Sequence, residues 1–131
     1  MKAKYFDLKN KKVFITGGAD GIGASIVELF CEQDSDVIFI DVNINKGKKL
    51  INIIKKKKFK IPKFIKCNVL DIPKLQSLII KNGPFDVLIN NAGNDQRHSI
   101  NEVTEQYLKN RIDTNLKHYF FAVKAIKKGM I

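Results

Sequence analysis

The chain has 131 residues, 44% of them hydrophobic, and sets 24 Lys and Arg against 13 Asp and Glu for a formal charge of +11. That length suits one hydrophobic core and not two, so residues 1–131 are read as a single unit. Its apolar stretches fall well short of the ~20 residues of a membrane span. The start MKAKYFDLKN lacks the apolar run of an export signal, and Cys31 and Cys67 lie too far apart for a disulfide framework or zinc cluster. A soluble, cytoplasmic protein with two reduced, buried thiols and no metal site is expected.

Of the cations, 22 are Lys and only Arg97 and Arg111 are Arg. Lys, Ile and Asn are all abundant, a coding bias that calls for no acidic partner. The lysine run at 55–58 lacks the Arg and interleaved aromatics of a nucleic-acid reader, so it is read as a solvated helix end and no nucleic-acid partner is expected.

Residues 13–16 form a short β-rich run, followed by a Gly-rich turn and a helix with Ile22, Ile26, Val27, Leu29 and Phe30 on one face. Residues 36–41 (DVIFID) give a second strand, and 45–57 a second helix with Leu50, Ile51, Ile53 and Ile54 at helical spacing. Residues 63–69 predict a third strand, 73–81 a third helix carrying Leu75, Leu78 and Ile79, and 85–90 (FDVLIN) a fourth strand. Residues 104–128 predict one long helix with an apolar stripe of Leu108, Ile112, Leu116, Tyr119, Phe120, Val123 and Ile126. Strands apolar on both faces and alternating with helices imply an α/β fold, a doubly wound parallel sheet of Rossmann type. Right-handed crossovers favour the strand order 3-2-1-4, with a ligand crevice where the winding reverses, between strands 1 and 4.

The segment Thr16-Gly17-Gly18-Ala19-Asp20-Gly21-Ile22-Gly23 joins the first strand to its helix. Residues without Cβ let the backbone approach a diphosphate there, and the helix amino end offers unpaired N–H groups and partial positive charge. Gly17, Gly21 and Gly23 suit that task, with Asp20 and Ile22 beside them. Asp41 ends the second strand roughly 20 residues on, the position from which a carboxylate binds an adenosine ribose and repels a 2′-phosphate. Neither Asp20 nor Val42 and Asn43 offers a cation for that phosphate, so NAD is read over NADP. A carboxylate that merely caps the next helix is the alternative for Asp41.

These residues resemble the short-chain dehydrogenase/reductase family, and the resemblance runs over residues 6–130. TGGADGIG is similar to that family's TGxxxGxG. Cys67-Asn68-Val69-Leu70-Asp71 resembles its adenine-holding segment, with Asn68 where many members have Asp. Asn90-Asn91-Ala92-Gly93 matches NNAG at the end of the fourth strand, and Asn115 in Asp113-Thr114-Asn115-Leu116 matches the helix Asn of the catalytic tetrad. The resemblance implies an NAD-dependent oxidoreductase acting on a small alcohol or carbonyl substrate. It places Asn68 and Val69 at the adenine and Asn91, Ala92 and Gly93 beside the cofactor's sugars. Asn115 is its catalytic residue, and the long helix a homo-oligomer contact.

One departure matters more than the matches. The family's catalytic Ser and Tyr-x-x-x-Lys pair are missing: Tyr107 precedes Arg111 and Tyr119 precedes Val123 by that spacing, and Tyr5 and Lys9 stand before the first strand. The chain stops at Met130 and Ile131, where a fifth strand is due. It is therefore expected to be the amino-terminal, cofactor-binding half of such an enzyme, inactive alone, with the edge of its fourth strand open. The alternative is a non-catalytic dinucleotide-binding module. Asn94-Asp95-Gln96-Arg97-His98 is expected at the crevice mouth, where Arg97 and His98 suit a sugar acid or hydroxy acid.

Overall fold

A computed structural model describes residues 3–130. Its sheet has the expected parallel order, strand 3-2-1-4, formed by β1 (Lys12–Thr16), β2 (Asp36–Asp41), β3 (Lys63–Lys66) and β4 (Val87–Ile89). Phe14 faces Ile38 on one side and Leu88 on the other, which fixes the register of the central strands.

Alternation along β1 and β2 sends side chains into two separate cores. Phe14, Ile38 and Ile40 pack with residues of α3 (Ile72–Asn82) and with Phe85, Ala122 and Ile126. Val13, Ile15, Val37 and Phe39 pack on the other face against α1 (Gly21–Glu32) and α2 (Ile44–Lys56). Both central strands are thus covered on both sides, which is why they read as unbroken apolar runs.

Several boundaries differ from expectation, each for a local reason. β3 ends at Lys66 rather than residue 69, because Cys67 N–H makes a last bond to the Asp41 carbonyl and Asn68 Oδ1 then takes the Leu70 N–H and bends the chain. β4 spans three residues rather than 85–90: Phe85 is buried against Phe14, and the Asp86 carboxylate receives the Lys12 N–H. In α1, Ile22 and Leu29 are exposed, and the row facing the sheet is Gly23, Val27 and Cys31. The helix is rotated so that Gly23 can abut the glycine loop.

The long carboxy-terminal helix is not one regular helix. It consists of α4 (Glu105–Ile112), a π-helical turn at Asp113–Lys117, and α5 (His118–Ile126). A π turn inserts an extra residue and shifts the helical phase. His118, Ala122 and Ile126 therefore face inward, while Leu108, Ile112, Leu116, Phe120 and Val123, five members of the expected stripe, are exposed.

Lys55 and Lys56 occupy the last turn of α2, where cations offset the helix dipole. Lys57 pairs with Glu28 at 2.5 Å and Lys60 with Asp36 at 2.7 Å. Both cysteines are free and buried; loss of hydration pushes the Cys31 thiol up to about 12 and raises that of Cys67.

Candidate functional site

The glycine loop lies over the carboxyl ends of β1 and β2. Gly17 has φ +66°, and a Cβ built on it stands 2.8 Å from Ala92 Cα. A Cβ on Gly23 would stand 1.9 Å from the Gly17 carbonyl oxygen, so no side chain fits between loop and helix. Asp20 is the cap residue of α1, yet its carboxylate leans toward the Gly21 N–H and makes no capping hydrogen bond to the Ile22 or Gly23 amide. It also turns to Lys46 Nζ, and its pKa is lowered first by that hydrogen bond. The Ile22 and Gly23 amides are left uncapped at an amino end that carries partial positive charge.

Asp41 closes the other side of the loop. Its Oδ2 accepts the Ala19 N–H at 3.1 Å and its Oδ1 the Asn43 N–H at 2.9 Å. The cap of α2 is Asn43, whose side chain accepts the Lys46 N–H, so Asp41 is not the helix cap. Beyond it, Val69 is buried and Asn68 is exposed, with the carbonyl of its amide engaged by Leu70.

The Asn90–Gly93 turn is fastened from two directions. Thr16, fully buried, accepts the Asn91 and Ala92 N–H groups on its hydroxyl at 3.0 and 3.1 Å. Asn91 Nδ2 donates to the Thr16 and Gly17 carbonyls at 3.2 and 2.9 Å. From the helix side, Asn115 Oδ1 accepts the Asn94 N–H at 2.6 Å while its Nδ2 donates to the Asn94 carbonyl at 3.0 Å. His118 Nε2 lies 2.9 Å from the Ala92 carbonyl. Both ends of the Asn115 side-chain amide are thus hydrogen-bonded to Asn94.

All the residues named above for cofactor contact border a single cavity of about 710 Å³: Gly17, Asp20, Gly21, Ile22, Gly23, Asp41, Asn68, Val69, Asn91, Ala92 and Gly93. Asn115 stands behind its wall, holding Asn94. At the mouth, Asn94 and Asp95 border the cavity but Arg97 and His98 do not. His98 stacks on Tyr107 at 4.5 Å between ring centres, and Arg111 lies over the same ring and donates to the Asn94 carbonyl. The expected substrate contact through Arg97 and His98 is therefore not formed by these residues as placed.

Three site neighbours were not evident in the sequence. Thr16 sits inside the glycine motif but looked like a strand end. His118 follows Asn115 by three positions, a spacing that places two side chains on one helical face. Lys46, in the first turn of α2, supplies a cation next to Asp20 where none was expected. Among the described residues no group of His, Cys, Asp and Glu could hold a metal ion, and no helix is long and apolar enough to cross a membrane.

Comparison with known proteins agrees with this geometry. Residues 11–131 match the short chain dehydrogenase family. The chain is 37% identical to D-xylose 1-dehydrogenase of Caulobacter vibrioides over 98% of its length and 51% of that protein. It is 30% identical to a probable galactose dehydrogenase of Rhizobium meliloti over 98% of its length and 52% of that protein. Among solved structures it resembles a 3-oxoacyl-[acyl-carrier protein] reductase with bound NAD from Brucella melitensis, with TM-score 0.83 and 25% identity over 99% of this chain and 54% of that one. The chain spans about half the length of the curated relatives it matches.

Proposed function

The chain belongs to the short-chain dehydrogenase family, and on that premise we propose that it binds NAD and forms the cofactor-binding part of a dehydrogenase for a small, hydroxylated, sugar-like substrate. The observation that carries the reading is the pairing, in one cavity, of an uncapped helix amino end with a carboxylate one strand away. A diphosphate fits the first and a ribose diol the second. The cavity passes the test of fit, since the space that Cβ atoms on Gly17 and Gly23 would claim is what lets loop, helix and Ala92 close into a cradle.

When bound, NAD would supply the carbon that takes up hydride from the alcohol. This chain's own residues do the binding. The Ile22 and Gly23 amides meet the diphosphate, Asp41 accepts from the ribose hydroxyls, and Val69 and Asn68 wall the adenine. The Ala92–Gly93 backbone flanks the opposite, nicotinamide-side half. Asp41 favours NAD over NADP because a phosphate beside it meets like charge, and Lys46, which would relieve that repulsion, is already paired with Asp20. Relatives named for xylose and galactose support a sugar-type substrate. Asn115 is the one tetrad member in these residues. Tyr5 and Lys9 offer no active pair, because the backbone of Tyr5 is tied to Gln33 at the far end of α1. Residues 1–131 alone are accordingly expected to turn over no alcohol, and the exposed row from Leu108 to Val123 supports self-association of the complete enzyme.

Calorimetric titration tests this. NAD is expected to bind this chain about tenfold more tightly than NADP, a difference of roughly 1.4 kcal/mol, and Asp41→Ala to erase the preference. Absence of binding, or an Asp41→Ala variant with an unchanged ratio, overturns the assignment.

A further inference from the structure

We propose that His118 is a positioning residue, whose imidazole holds the Ala92 carbonyl and thereby sets the nicotinamide-side wall of the cavity; this rests on the dinucleotide-binding reading above. His118 is fully buried, and its Nε2 lies 2.9 Å from the Ala92 oxygen. A carbonyl only accepts, so Nε2 carries the proton. Nδ1 is then the unprotonated nitrogen; it is buried beside the Thr114 carbonyl, which is itself only an acceptor, and so has no hydrogen-bond partner. A buried polar atom left unpaired costs free energy that an apolar side chain of similar size would avoid. The other nitrogen is what justifies a histidine here.

What that nitrogen holds is already closely enclosed. Ala92 N–H is tied to Thr16 Oγ1 at 3.1 Å, and Ala92 Cα lies against Gly17, where a Cβ would stand at 2.8 Å. Ala92 is thus clamped between the glycine loop on one side and His118 on the other. Asn115, one turn earlier, holds Asn94, and a Cβ on Gly93 would meet Asn115 Oδ1 at 3.3 Å. Asn115 and His118 bracket Gly93: Asn115 lies in the π turn at Asp113–Lys117 and His118 opens α5 three positions on, so both side chains reach the same loop. Among the described residues no hydrogen bond runs from α4, the π turn or α5 to Asp41 or Asn68, the end proposed for the adenosine. Removing the imidazole should therefore loosen one half of the cavity and spare the other.

The test uses the full chain with His118→Leu and His118→Gln, NADH and ADP as probes, and NMR as a readout that needs no ligand. His118→Leu is expected to weaken NADH about tenfold, the cost of one buried hydrogen bond, and ADP less than twofold; His118→Gln, whose amide N–H can reach the same carbonyl, restores NADH affinity to within about threefold. Parallel loss of both ligands, or no loss of either, overturns the proposal. In the unliganded wild-type chain, imidazole nitrogen shifts should show Nε2 protonated and Nδ1 not, and the Ala92 and Gly93 amide signals should move in His118→Leu and return in His118→Gln. The opposite tautomer, or amide signals indifferent to the substitution, overturns the clamp even if His118→Leu fails to fold. A wild-type chain that binds neither NADH nor ADP refutes the dinucleotide reading instead, and is told apart by the NMR result.

Discussion

The turn after β4 and the loop that follows it are neighbours in sequence but are held in different ways. Asn91 and Ala92 are fixed by buried or half-buried hydrogen bonds to Thr16, Gly17 and His118, whereas residues from Gln96 to Tyr107 rest on exposed contacts: the Tyr107 hydroxyl to the Gln96 carbonyl, the His98 ring on Tyr107, Arg111 on the same ring. Buried hydrogen bonds left unmade are costly, and exposed ones are readily replaced by water. The turn at Asn91 and Ala92, on the side proposed for the cofactor, is therefore organised in advance within these residues, and the loop that follows is left adjustable.

The sharpest way to break that contrast is Gly23→Ala. The added methyl would lie 1.9 Å from the Gly17 carbonyl oxygen, and neither backbone can retreat without losing the loop. Overpacking typically costs about 1–3 kcal/mol, and a backbone contact this close puts Gly23→Ala at the upper end. Calorimetry is expected to show NAD binding abolished, and thermal unfolding a lower midpoint. Thr16→Val comes next. It keeps the shape but deprives two half-buried N–H groups, those of Asn91 and Ala92, of their acceptor. A loss of about 2 kcal/mol in denaturant unfolding and roughly tenfold weaker NAD follow from two unpaired amides. A Thr16→Val chain with unchanged stability would show that the turn is not held from β1.

Acid should act on the fastened region through His118, whose pKa burial lowers from 6.5. Between the lowered native value and 6.5 the unfolded chain takes up a proton that the native chain refuses, so this contribution to stability is complete above 6.5 and shrinks as pH falls below it. Asp20 and Asp113 behave differently. Lysine hydrogen bonds hold both below 3.8, so their contributions persist down to that pH and fade only as it falls further. Unfolding followed between pH ~5 and ~7 should thus show an acid-side decline that His118→Gln removes. A variant that declines in parallel with wild type would assign the effect to another group.

The division between what was legible and what was not follows the same physics. Strand order, the covering of the sheet on both faces and the gathering of the expected contact residues around one cavity were legible, because apolar runs such as residues 36–41 and a glycine loop between strand and helix have few packing solutions. Helix rotation was not. Ile22 and Leu29 look like core residues until Gly23 is required to touch Gly17, and Phe120 and Val123 look inward until a π turn shifts the phase of α5. Long-range polar contacts were equally hidden: nothing in local spacing says that Lys46 meets Asp20 or that Ala92 meets His118, since each pair is 26 residues apart.

Tyr107→Ala is the mildest test and the one that bears on the adjustable side. The ring is the shared platform of His98 and Arg111, and its hydroxyl reaches the Gln96 carbonyl at 3.4 Å, a long contact. Gln96 and His98 are exposed and Tyr107 and Arg111 half-buried, and in such surroundings an aromatic contact or a cation over a ring contributes on the order of 0.5–1 kcal/mol while water readily substitutes for a lost hydrogen bond. Stability should fall by no more than about 1 kcal/mol, and NAD affinity should change less than twofold, because Asn94 keeps its two bonds to Asn115 when the platform is gone. Hydrogen exchange in residues 96–103 should rise while that of Asn91 and Ala92 stays constant. If the amides of Asn91 and Ala92 speed up as well, the two regions are mechanically one, and the mouth loop must be counted among the parts that shape the cofactor cavity.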